Sequence, residues 1–311
     1  MFHKLRRPAL GASAKINPNL ALLVEERHLV ISMIQKTVIR REQKITGLSA
    51  CHLALQTRFS DAIRLYVTDQ NLPYFKEFLR ELAISKKAYH IVSAQDLQKI
   101  TDGSTHHEGV CLILKSRVAP ALTSLLSDLS QKKQDGLGSQ AESYLYLERV
   151  ENPHNLGAIC RVAAHFGVKA LLVEGDATID SALQSAAYFR VAEGGAEFVP
   201  SYPVVTSSVS THQSGTTGTT SRTEVLKLLK AAKFQFVATS SHVSQSVFSC
   251  KLPKKCVFAL GSESHGLSQE LAELCEMSVS IPGSGNVESL NVACASSILL
   301  AEHFRQHSAG T

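Results

Sequence analysis

IPGSGNVESLNVACASSILLAEHFR, residues 281–305, is the stretch from which the rest of the chain is read. A strand end at Ile281 runs into a turn carrying Pro282, Gly283 and Gly285. A polar group follows, Glu288, Ser289, Leu290 and Asn291, and then a long apolar helix. That helix is small on nearly every face: Ala293, Cys294, Ala295, Ser296, Ser297 and Ala301 let another backbone approach closely. The first N–H groups of a helix lack intrahelical partners and point at whatever lies in the turn. A glycine-relaxed loop at a helix start is therefore a place to hold a ligand. Ser289 reads either as the cap of this helix, with Asn291 in its first turn, or as a site residue.

Upstream, the pattern is one of strands alternating with helices. YLYLERV (144–150), KALLVE (169–174), FQFVAT (234–239), CVFAL (256–260) and residues 277–281 read as near-continuously apolar strands. Helices are predicted at about 156–166, 180–188, 223–232 and from Ser268 to about 275. This order implies an α/β domain with a parallel sheet covered on both faces. Ligands of such sheets bind in loops beyond the carboxyl ends of the strands. Three polar, glycine-bearing loops fall there: 151–157, 261–268 and 282–291. Asn155 reads either as a plain helix N-cap or as a site residue, and Gly261 and Gly266 either as punctuation or as a ligand loop. Residues 201–222, rich in Ser, Thr and Gly, read as a long exposed loop that cannot bury a core.

The first part of the chain repeats the alternation on a smaller scale. Residues 1–18 read as a flexible basic arm, and 20–41 carry apolar positions at helical spacing. A helix-like stretch to Arg58, a strand at 63–67, a helix at 73–87, a strand at 88–92, a helix at 94–100 capped by Ser93 and a strand at 109–114 make a small α/β sandwich. The domain limits are expected at 19–118 and 144–311, joined by a linker over 119–143 with a helix at 121–129.

Composition bounds the function. The chain has 311 residues, 44% of them hydrophobic, enough for two cores. No run of eighteen apolar residues suggests a membrane span, and no apolar segment follows the basic start to make a signal peptide. Seven scattered cysteines without a CxxC pair fit reduced cytoplasmic thiols. Net charge is +8 over residues 1–120 and −3 over the remainder, so the first part is the one suited to a polyanion. No Ser/His/acid set, GxxxxGK[ST] loop or GxGxxG after a first strand is present. His106, His107 and Glu108 are adjacent on an expected strand, where neighbours point apart, so no metal is expected.

Taken together, NPHNLGAICRVAAHFG, LGSESHGLS and IPGSGNVESLNVACASSILLAE resemble the three consecutive motifs of the SpoU (TrmH-type) RNA ribose 2′-O-methyltransferases, in the family's order. Asn155-Leu156-Gly157 with Arg161, Gly261 with Glu263 and Gly266-Leu267, and Ile281-Pro282 with Ser289-Leu290-Asn291 stand at the motif positions. The first part resembles, more loosely, the L30e-like RNA-binding domain often fused to these enzymes, with HHEGVCLIL as its closing strand. The resemblance implies a trefoil-knotted (SPOUT) C-terminal domain, S-adenosylmethionine as methyl donor and a homodimer whose site borrows residues across the interface. It implies no metal. Cofactor contacts are implied at Gly261, Ile281 and Leu290, with Thr239 where the knot wall begins.

Methyl transfer from a sulfonium to a hydroxyl needs alignment and help with one proton. Arg161 is the family's candidate for contacting that hydroxyl. A guanidinium stays protonated, so the expectation is that it binds the adjacent phosphate and orients the ribose while phosphate or water accepts the proton. Asn155, Glu263, Ser289 and Asn291 would frame it. The basic first part would bind tRNA or rRNA phosphates in a salt-dependent way. Two alternatives remain open in the sequence: an RNA-binding protein that has lost catalysis, and a methyltransferase acting on a base. The 201–222 loop and the 1–18 arm depart from the family's usual pattern and leave the RNA undetermined.

Overall fold

Alternation of burial along single strands sets the layers of this molecule. The computed structural model describes residues 42–116, 124, 125, 127, 141–176, 178–205 and 222–308. The expected arm (1–18), the helical spacing over 20–41 and nearly all of the 119–143 linker lie outside them. In the first part the order is β1 (Glu42–Thr46), α1 (Leu48–Arg58), β2 (Ala62–Val67), α2 (Lys76–Ile84), β3 (Ala88–Ile91), α3 (Ala94–Ile100) and β4 (Val110–Lys115). The four strands form one sheet in the order β1-β4-β2-β3, with β2 parallel to β3 and antiparallel to β4. Ser93 caps α3 as expected, its hydroxyl accepting the Asp96 N–H at 3.1 Å. Strand β1 was not anticipated. Ile45 is its single large apolar residue, while Gln43 and Thr46 are buried polar ones, so no apolar alternation marks it.

The second sheet is built from β5 (Glu142–Glu148), β6 (Leu171–Gly175), β7 (Ser201–Val205), β8 (Gln235–Thr239), β9 (Lys255–Gly261) and β10 (Met277–Val279). Its order is β10-β8-β9-β5-β6-β7, and every pairing is parallel. Successive side chains of a strand face opposite ways, and β5 shows the consequence. Leu145 and Leu147 join one core with α4 (Pro153–His165) and α9 (Val292–His307). Tyr144 and Tyr146 join the other core with α7 (Arg222–Ala231) and Leu271 of α8 (Gln269–Glu273). Between β6 and β7 run two short helices, α5 (Ile179–Leu183) and α6 (Ala186–Ala192), where one helix was expected over 180–188.

The stretch 201–222 is corrected at both ends. Residues 201–205 are an edge strand paired with β6, and Arg222 opens α7. Tyr202 and Val204 point into the core, so five residues inside a polar-looking tract do bury apolar surface. His106, His107 and Glu108 precede β4 in a turn and are not on a strand. Glu108 accepts the Leu48 N–H at 2.8 Å, and His107 Nδ1 accepts the Gly109 N–H at 3.0 Å, so both serve the turn.

From Gln43 onward the residues belong to one unit, and a buried ion pair ties its two sheets together. Arg58, at the end of α1, donates from Nε to Glu197 Oε1 at 3.1 Å and from Nη2 to Gln43 Oε1 at 2.7 Å. The side chains of Arg58 and Glu197 are 4% and 2% exposed. Beside them Gly194 lies so close to Leu53 of α1 that a Cβ there would meet Leu53 Cδ1 at 2.3 Å. Removing one member of a buried pair leaves the other charge without compensation. Arg58→Ala is expected to destabilise the protein by about 3–5 kcal/mol, measured by urea denaturation; a loss within experimental error would show that water replaces the guanidinium.

Candidate functional site

The three loops converge because β5, β9, β8 and β10 are neighbours and parallel, so their carboxyl ends share one edge of the sheet. Helix α4 follows β5. Its N-cap is Asn152, whose side chain accepts the His154 N–H at 2.9 Å, with Pro153 pre-set for the first turn. Of the two readings of Asn155, the cap is thus filled three residues earlier, and the Asn155 side chain points elsewhere. A parallel shift holds at the last helix. Asn291, not Ser289, caps α9, its Oδ1 accepting the Ala293 N–H at 2.9 Å.

That cap fixes the orientation of the Asn291 amide. With Oδ1 committed to the helix, Nδ2 must face outward. It donates to Glu263 Oε1 at 2.6 Å and to Asn155 Oδ1 at 3.1 Å. Asn155 Nδ2 in turn donates to the same Glu263 Oε1 at 3.1 Å. One residue from each loop therefore meets in a closed triangle of hydrogen bonds around a single carboxylate. Ser289 lies in the exposed stretch two residues before the cap. Arg161, two turns along α4 from Asn155, is not joined to this triangle; its Nη1 donates to Glu193 Oε1 at 2.6 Å.

The Glu263 loop is closed by glycine. An ideal Cβ on Gly261 would fall 1.9 Å from the carbonyl carbon of Gly266, so no larger residue fits. Gly266 itself has φ +63°, a left-handed conformation that suits glycine, and its N–H bonds Ser262 O at 2.8 Å. The loop is held from behind by residues the sequence reading missed. Glu148, the last residue of β5, accepts the Ser268 N–H at 2.7 Å and Arg222 Nη2 at 2.7 Å. Arg222 also chelates Glu174, whose other contact is the Tyr146 hydroxyl. Burial, reinforced by Glu174, pushes the Tyr146 hydroxyl far above its ordinary pKa and keeps it a donor. Two acidic residues at the ends of apolar strands were the available signal, but their partner lies at residue 222, some fifty residues beyond Glu174.

The positions expected to hold a cofactor line the same edge. Thr239 ends β8, is in register with Val279 of β10 and donates to Ala259 O at 3.1 Å. Gly261 ends β9, and Ile281 follows β10 half-buried. Leu290 and Val287 are apolar yet 43% and 72% exposed. Main-chain groups beside exposed aliphatic side chains suit a ligand with a flat apolar part and polar edges.

Three polar loops thus meet at the carboxyl edge of a parallel sheet, joined by a triangle of side chains, with a small α/β sandwich attached. The SpoU rRNA methylase family model matches residues 142–301, and the model for RNA 2′-O ribose methyltransferase substrate binding matches residues 44–117. The chain belongs to the SpoU rRNA methylase family. Among its relatives is an uncharacterized tRNA/rRNA methyltransferase, YfiF of Escherichia coli O157:H7, 36% identical over 89% of this chain and 73% of the relative. Another is the 23S rRNA (guanosine-2′-O-)-methyltransferase RlmB of Nitrosomonas europaea, 34% identical over 86% of this chain and 94% of the relative. The fold matches the crystal structure of an RNA 2′-O ribose methyltransferase with TM-score 0.64 and 24% identity, covering 86% of this chain and 89% of that one. It also matches the S-adenosylmethionine complex of the SpoU methyltransferase AviRb from Streptomyces viridochromogenes, with TM-score 0.64 and 21% identity, over 88% and 94%.

Asn291→Asp separates the two duties of this residue. Asp caps helices as well as Asn, so stability should hold within about 1 kcal/mol. The new carboxylate would face Glu263 and break the triangle by repulsion. Methyl transfer is expected to fall by about 10²-fold, measured by single-turnover labelling; unchanged transfer would show that the triangle is dispensable.

Proposed function

We propose that this protein transfers a methyl group from S-adenosylmethionine to a ribose 2′-hydroxyl of ribosomal or transfer RNA in the cytoplasm. The observation that carries the reading is the triangle of Asn155, Glu263 and Asn291, which brings together one side chain from each motif. S-adenosylmethionine, when bound, supplies an electrophilic methyl on a sulfonium. The main chain at Gly261 and Ile281, with Thr239 and Leu290, is the set suited to hold it, since Thr239 and Gly261 end neighbouring strands at one edge of the sheet and Leu290 offers exposed aliphatic surface. The rest is alignment. The O2′–carbon bond forms as the carbon–sulfur bond breaks, sulfur keeps the electron pair, and the hydroxyl proton leaves to an RNA phosphate oxygen or water. In this reading Glu263, the two amides and Ser289 fix the ribose; Arg161 binds the neighbouring phosphate and turns the hydroxyl toward the methyl.

The active form in this reading is a homodimer without bound metal. Helix α9 leaves Cys294, Ala301 and Phe304 exposed on one stripe, with Ser297 and Ile298 half-buried between them at helical spacing, and Phe304 rests on the Phe166 ring. Beside it lies a groove of about 720 Å³ lined by Arg161, Phe166, Phe198, Ile298 and Ala301. In this reading a second copy seats there and the site borrows residues across the interface, since the same chain's Arg161 does not join the triangle. The C-terminal segment is read as the threaded end of a trefoil knot. Leu252 N–H bonds Gln306 Oε1 at 2.8 Å and Gln306 Nε2 bonds Cys250 O at 2.9 Å, so the end of α9 is tied to the segment entering β9. The smaller sheet and the basic first part of the chain would dock the RNA. Among the described residues no helix is long and apolar enough to cross a membrane.

Incubation with tritiated S-adenosylmethionine and unmodified ribosomal or transfer RNA is expected to label the RNA. Arg161→Ala should lower the rate by about 10²-fold or more while S-adenosylmethionine binding, followed by calorimetry, is retained. Near-normal labelling by this variant would refute the role given to Arg161.

A further inference from the structure

The segment Glu193–Glu197, which follows α6, touches Arg161 and the substrate-binding part at once. Glu193 has φ +44° and ψ +43°, the left-handed conformation that closes helices and in which glycine is the unstrained residue. A glycine would serve the backbone better, and glycines do fill the next two positions. The Glu193 carboxylate, however, meets the Arg161 guanidinium at 2.6 Å. The pair is half-exposed, 58% and 42%, so it contributes little to stability. Gly195 presses on the same residue from below: a Cβ there would lie 3.0 Å from Arg161 Cα. Glu197, two residues on, is the buried partner of Arg58, and Gly194 packs on Leu53. Both acidic side chains of a five-residue segment are thus bound to arginines, one in the site and one in the RNA-docking part.

We propose that Glu193 is a positioning residue for Arg161, holding the guanidinium at the edge of the groove in one orientation, and that the segment Glu193–Glu197 ties this orientation to the docking of the first part of the chain. The inference rests on the reading of Arg161 as the cation that contacts RNA. A strained, exposed Glu with no evident duty to the fold is then explained by its side chain. Within the groove its carboxylate faces Arg161, with His165 the other titratable lining group.

Glu193→Gly tests this, because it removes the carboxylate and relieves the backbone together. The variant is expected to melt at or above the wild-type temperature, to keep its KM for S-adenosylmethionine within about twofold, and to lose about tenfold or more in kcat. Combined with Arg161→Ala it should cost nothing further, since both changes remove one device. A wild-type kcat for Glu193→Gly, with Arg161→Ala inactive, overturns the positioning role and leaves the reading of Arg161 intact. A lowered melting temperature would make Glu193 a structural residue and also overturn it. Normal methylation by Arg161→Ala would sink both readings.

Discussion

The arrangement of the site depends on the amide of Asn291. Its oxygen is spent on capping α9, so its nitrogen is forced toward Asn155 and Glu263. A residue that only capped the helix, such as Ser, would leave nothing to reach across to the other loops. A residue that only bridged the loops would leave the first turn of a sixteen-residue helix uncapped. The asparagine does both because its two polar atoms have opposite hydrogen-bonding character. The helix, by packing on α4 and β9, thereby sets the position of a polar group at the carboxyl edge of the sheet. Stability of the last helix and geometry of the site are in this sense one constraint.

Glycine sets the other boundary conditions. Gly157 lets α4 approach α6 so closely that a Cβ would meet Tyr188 O at 2.7 Å, and Gly261 closes its loop on Gly266. Each lies in one of the three loops read as a place for a ligand. The structure shows that packing alone already forbids a side chain at both.

Much of this was legible in the sequence. Near-continuous apolar strands between helices gave the covered parallel sheet, because that follows from burial periodicity; the three polar loops were candidates only, and their residues were singled out by resemblance to the family's motifs. The misplacements have a common cause. Asn152 and Asn155, and Ser289 and Asn291, are pairs of residues with similar capping propensity a few positions apart, and only the tertiary partner decides which one caps. Strand β7 was hidden inside a Ser/Thr-rich tract because an edge strand needs only Tyr202 and Val204 to point inward. Strand β1 was hidden because a buried Gln and Thr broke its pattern. The supports of the site, Glu148 with Arg222 and Arg161 with Glu193, were not legible, since their members lie 74 and 32 residues apart and no local rule pairs them.

The account's central claim is that the triangle frames a ribose and not a base. Alkaline hydrolysis tests it most directly, because cleavage of RNA needs a free 2′-hydroxyl. RNA labelled by the purified protein from methyl-tritiated S-adenosylmethionine should, after complete alkaline hydrolysis, release its label in alkali-resistant dinucleotides. Label recovered in mononucleotides would place the methyl on a base and contradict the account.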